Sequence, residues 1–143
     1  MAKRILVPLK ARDDAETLIP LVADLARGAG ATVRLLEVSP LPENRYDDLQ
    51  RVVVFASQER ERLEAEGRTR LAAIEARLEG VALESRVRFG DLAEETALEA
   101  DVFGAELVAL RARRRRWWSS LALGRTVRRI ARKVSAPVMV LAC

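Results

Sequence analysis

"RILVPL", residues 4–9, is apolar at every position after its arginine. A strand with one wet face alternates apolar and polar residues. A run without alternation describes a strand covered on both faces, as in a parallel sheet packed between helices. Four further stretches read as strands: "ATVRLLEVSP" (31–40), "VALESRVRF" (81–89), "ELVALR" (106–111) and "APVMVLA" (136–142). Helical periods separate them. "AETLIPLVADLARGAG" places Leu18, Leu21, Val22 and Leu25 on one face and stops at Gly28 or Gly30, with Asp13 and Asp14 as acceptors at its start. Pro20 costs no hydrogen bond if that helix begins near Thr17. After a loop at 41–47, a long helix is expected from about Asp47 to Glu79. Its buried stripe is Leu63, Gly67, Leu71, Ile74 and Leu78, and Glu64–Arg68 and Glu66–Arg70 pair across its wet faces. Asp91 and Glu94 form a capping box for a helix over 92–104, and a last helix runs from about Gly124 to Val134 through Val127, Ile130, Ala131 and Val134. Strand–helix alternation of this kind predicts an α/β domain: a five-stranded parallel open sheet with right-handed crossovers and helices on both faces.

The 143 residues suffice for one domain with a sizeable core, and no repeat or linker divides them. No apolar stretch is long enough to span a membrane, and the start "MAKRILVPLK" lacks a cleavage pattern, so the cytoplasm is the expected compartment. Cys143 is the only cysteine, which excludes an internal disulfide. Charge is unevenly placed. Ten of the 25 Lys and Arg, and none of the 21 Asp and Glu, lie from Leu107 onward, which leaves 15 bases against 21 acids in residues 1–106. Such a split points either to an anionic partner, nucleic acid or membrane, or to an acidic body facing a basic tail. The extreme is "RARRRRWWSSLALGRT", residues 111–126. Trp117 and Trp118 there either anchor the segment against the fold or, beside four consecutive arginines, dock on a membrane or a base.

Ligands of open α/β sheets bind beyond the carboxyl ends of the strands, where the strand order reverses. The candidates are Pro8, Leu9 and Lys10 after the first strand, Val38 and Ser39 after the second, Leu110 and Arg111 in the fourth, and Gly124, Arg125 and Thr126 at the start of the last helix. Catalysis is not expected. The chain has no histidine, its acids fall on helix faces and caps, and Ser119 and Ser120 have no evident base. Metal sites lack His and Cys ligands, and Asp13 and Asp14 would need a nucleotide's help to hold magnesium.

The opening "RILVPL", the "GD.AEE" after the third strand, "LVAL", and the ending "ALGRTVRRIARKVSAPVMVL" together resemble the universal stress protein family over nearly the whole chain. The resemblance implies a homodimer built on the last strand, Val138, Met139, Val140 and Leu141, a role in stress response, and a nucleotide site. Many members bind ATP through G-x2-G-x9-G-[ST]. With Gly124 as the third glycine, the first falls on Arg111, the second on Arg114 and the Ser/Thr on Arg125, with Thr126 offset by one; the family's nucleotide-contacting acid falls on Lys10. Arg113 lies inside the same loop. Arginine in a left-handed backbone costs about 1–2 kcal/mol, and its side chain fills space a triphosphate would use. On that basis ordinary ATP binding is expected to be lost and no cofactor is required. The alternative is that the guanidiniums and Lys10 hold ATP or another phosphate-bearing anion, since buried cations need a counter-charge.

Overall fold

The computed structural model describes residues 3–10, 16, 18–112 and 124–142. The sequence-predicted strands form one parallel sheet. β1 (Arg4–Lys10), β2 (Thr32–Ser39), β5 (Ala82–Phe89), β6 (Leu107–Ala112) and β7 (Val138–Ala142) lie in the order β5-β2-β1-β6-β7. Four helices cover it: α1 (Leu18–Ala29), α2 (Ala56–Glu75), α3 (Leu92–Phe103) and α4 (Arg125–Lys133). Successive strand residues point to opposite faces, and two cores result. Ile5, Val7, Leu9, Val33 and Leu35 meet α1 and the Leu71 side of α2. Leu6, Leu36, Val38, Val108 and Leu110 meet Ala93, Ala100 and Phe103 of α3 and Val127 and Ile130 of α4.

Four sequence-based expectations need correction. The helix expected from Asp47 begins instead at Ala56, after a small antiparallel ribbon, β3 (Arg45–Tyr46) and β4 (Val52–Val54). The cause is local. The Asp47 carboxylate accepts from the N–H groups of Leu49 and Arg51, each at 2.9 Å, so it closes a turn instead of capping a helix, and the β-branched run at 52–54 then favours extended backbone. The Asn44 side-chain oxygen accepts from Ala56 N–H at 2.7 Å and caps α2. On α1 the buried face is Ile19, Val22, Ala23 and Ala26, while Leu21 and Leu25 are exposed; small residues let the helix lie close to the sheet, and the leucines are left outside. Ala131 likewise faces solvent on α4. Pro20 falls in the first turn of α1, where no intrahelical donor is missed.

The fourth correction concerns charge. Glu64–Arg68 is formed at 2.8 Å, but Glu66 pairs with Arg62 and Arg70 turns inward to Glu37 of β2, with Nε to Oε1 at 2.7 Å. Not all acids are on wet faces, because Glu37 and Glu99 are both buried. Glu99 of α3 receives Arg34 Nη1 on one oxygen and Arg88 Nη1 on the other, while Arg34 also reaches Glu84 and lies 4.3 Å over the Phe103 ring. Burial opposes the charge on Arg34, yet its hydrogen bonds to Glu84 and Glu99 outweigh that and hold the guanidinium above its ordinary range.

Candidate functional site at the carboxyl edge

β1 pairs with β2 along its whole length, from Arg4 to Lys10, but with β6 only at Ile5 and Leu6. Beyond Leu6 the two strands part. β1 is also where the strand order turns back on itself, so the gap opens at the switch point of the sheet. Beside it lies a cleft of about 390 Å³ lined by Lys10, Val38, Pro40, Gly90, Asp91, Leu92, Ala93, Thr126 and Arg129.

Each wall has a local reason. Gly90 turns the chain from β5 into α3 with φ 143°, and a Cβ there would stand 2.9 Å from Glu95 Oε1, so only glycine brings the chain into the rim at this angle. Asp91 then caps α3, its carboxylate accepting from Glu94 N–H at 3.1 Å. Only that half of the expected box serves the cap, since the Glu94 carboxylate lies 3.6 Å from Lys133. Arg129 of α4 grips Asp91 with both terminal nitrogens, at 2.9 and 3.0 Å, tying the two helices together across the cleft. That guanidinium, followed by the Glu94 N–H, holds the Asp91 carboxyl below its usual range.

The structure gathers part of the predicted set. Lys10, Val38 and Thr126 share the cleft. Pro8, Leu9 and Leu110 are buried in the core instead. Arg111 is half-buried, and the alternation of β6 sets it with Ala109, on the α1–α2 face, opposite to Lys10. Arg125 is exposed and not among the lining residues, so at the start of α4 it is the offset Thr126 that lines the cleft, with Arg129 one turn on. Gly124 precedes α4 with φ −58°, an ordinary value, and a Cβ on it would meet open space among the described residues. α4 has no acid in its first turn and no side-chain cap. Arg113, Arg114, Trp117 and Trp118 lie outside the described residues, as do Asp13, Asp14, Ser119 and Ser120. Asp91, Gly90 and Arg129 were missed as site residues. Asp91 reads as a cap in sequence, and nothing in the spacing links it to a side chain 38 positions away. Among the described residues no three of His, Cys, Asp and Glu gather to hold a metal ion, and no helix is long and apolar enough to cross a membrane.

Residues 1–142 match the model of the universal stress protein family. Among solved structures, the chain is similar to a protein of that family from Burkholderia pseudomallei, with 22% identity, 97% of this chain and 95% of that one covered, and a TM-score of 0.70. It is also similar to a universal stress protein from Archaeoglobus fulgidus in complex with dAMP, at 20% identity, 98% and 97% coverage and a TM-score of 0.60. A third, a universal stress protein in complex with cAMP, shares 13% identity over 99% and 97% of the two chains with a TM-score of 0.64. No curated protein sequence matches the chain.

Proposed function

The chain belongs to the universal stress protein family, and from that premise we propose that it is a non-catalytic, homodimeric stress-response member whose cleft no longer takes magnesium-ATP in the ordinary way. The observation that carries this reading is the charge of the cleft. Lys10 stands at its rim where the family's nucleotide-contacting acid is expected, and among the described residues the one carboxylate lining it, Asp91, is already clamped by Arg129. A carboxylate held in its charged form by a guanidinium is a poor general base near neutral pH, which supports a binding protein over a hydrolase. The cleft's volume also lies near the lower end of the range of small-molecule sites.

A second reading has its own support. Lys10, the Thr126 hydroxyl and the uncapped start of α4 converge on one side of the cleft, with Val38 and Pro40 as an apolar wall. That set suits a small phosphate-bearing anion or a nucleoside monophosphate, the kind of ligand found with two structural relatives. Equilibrium dialysis separates the readings. Magnesium-ATP is expected to be excluded by the native chain and retained once Lys10→Asp, Arg111→Gly, Arg114→Gly and Arg125→Ser are combined. Retention by the native chain, unaffected by these changes, would overturn the first reading; failure to retain cAMP, dAMP and inorganic phosphate would retire the second.

The dimer is proposed on β7. It is hydrogen-bonded to β6 on one side only, and Val138, Met139 and Val140 are half-exposed, so they offer an apolar edge for a second copy. Light scattering is expected to give about twice the 15.9 kDa chain mass. A monomer at every concentration tested would rule this out.

A further inference from the structure

Most basic side chains of this protein are engaged. Among the described residues, those that make no ion pair, side-chain hydrogen bond or ring contact are Lys3, Arg125, Arg128 and Arg132. Three of these sit on α4 at i, i+3 and i+7, so they form one stripe, roughly 10.5 Å long at the helical rise. All three are exposed, and Val127 and Ile130 bury the opposite face. Along one flank, Arg129 and Lys133 are paired with Asp91 and Glu94 and widen the basic ridge without adding a free acid.

This arrangement runs against local helix physics. Arg125 and Arg128 stand in the first turn, where the helix dipole favours acids, and like charges spaced i, i+3 repel. The starts of α2 and α3 follow the dipole rule, with Glu59 in the first turn of α2 and Glu94 and Glu95 in that of α3. Arg132 stands in the last turn of α4, where the dipole favours a cation, so the conflict lies at Arg125 and Arg128. A local rule broken at one exposed face, with no acid paired to these arginines among the described residues, marks a surface kept for a partner.

We propose that the outer face of α4 docks on the phosphate backbone of a nucleic acid. The partner must present closely spaced negative charges along a line. A duplex carries one phosphate per about 3.4 Å of its axis on each strand, a line of negative charge on the same scale as the stripe. An anionic membrane is the poorer fit, because a membrane-seeking helix sets large apolar residues beside its basic ones, and the apolar residue exposed on α4 is Ala131. Because the inner face of α4 is embedded in the core, only its ridge reaches the duplex, and contact is with backbone rather than base edges. Arg125, Arg128 and Arg132 are not among the residues lining the cleft, so the proposal stands or falls independently of nucleotide binding.

The test is fluorescence anisotropy of labelled DNA and RNA duplexes titrated with the full chain at several salt concentrations. The native chain is expected to bind at low salt. Arg128→Gln combined with Arg132→Gln, both away from the cleft, should lower the slope of log K against log salt by about 1.8, at 0.9 per phosphate contact, with the melting temperature unchanged or raised. A charge-matched control, Arg62→Gln with Arg68→Gln on α2, should leave the slope as it was. The arginines at 113–116 are present in every variant, so the difference isolates the stripe. The proposal is overturned if neither duplex binds at low salt, if the α4 variant binds as the native chain does, or if the control flattens the slope equally. Binding to phosphatidylserine vesicles without binding to either duplex would also overturn it.

Discussion

Replacing Glu99 by alanine is expected to cost about 3–5 kcal/mol of folding stability, the range for removing one member of a buried ion pair. Glu99 is 2% exposed and uses both carboxylate oxygens, one for Arg34 and one for Arg88. Arg34 is itself nearly enclosed. Without Glu99 it keeps the half-exposed Glu84 and the face of Phe103, neither of which restores a full counter-charge inside the α3–β2 layer. The cost comes from stranding a guanidinium, not from losing a favourable pair, so two further variants have defined outcomes. Glu99→Gln keeps one acceptor and should fall between the native chain and Glu99→Ala. Arg34→Met combined with Glu99→Leu removes both charges and should recover most of the loss. Urea denaturation of the four proteins decides the matter. A loss of less than about 1 kcal/mol for Glu99→Ala, the size of an exposed pair, would show that the network is wetter than its burial indicates.

Gly67→Ala on α2 is expected to destabilise by about 1–3 kcal/mol through overpacking, although alanine is the better helix former by about 0.8–1 kcal/mol. A Cβ at this position would lie 2.3 Å from Glu37 Oε2 and 3.1 Å from Val87 Cγ2. The carboxylate cannot simply swing away, because Arg70 holds both of its oxygens, at 2.7 and 3.1 Å. Either α2 lifts from the sheet or the Glu37–Arg70 pair breaks. In a Glu37→Ala background the obstruction is gone, and Gly67→Ala should become neutral or stabilising. Thermal melts of the double-mutant cycle read this directly. Equal destabilisation in both backgrounds would sink the explanation.

These two positions show how far the sequence carries. The stripe through Gly67 and Leu71 was legible because helical spacing is a local property, and both residues are buried. The reason for glycine at 67 was not, since Glu37 belongs to a strand a whole crossover away. In "TVRLLEVS" the polar residues Arg34 and Glu37 look like interruptions of an apolar strand, and their partners at Glu99 and Arg70 lie 65 and 33 positions distant. The turn and second strand of the ribbon, residues 48–54, read as helix in the sequence because the turn depends on one aspartate serving two backbone donors. At the candidate site, Lys10, Val38 and Thr126 were legible as strand-end and helix-start positions. The Arg129 clamp on Asp91 was not, and Pro8, Leu9 and Leu110 proved to be packing residues.

The sequence by itself determined the alternation of the main strands and helices, the parallel sheet and the edge at which the candidate site lies, because each follows from periodicity, caps and the handedness of short crossovers. Only the tertiary structure decided which charges meet. An ion pair across β2 and α3, a clamp across two helix starts, and a stripe left unpaired on α4 all depend on separations and burial that neighbouring residues in the chain do not encode.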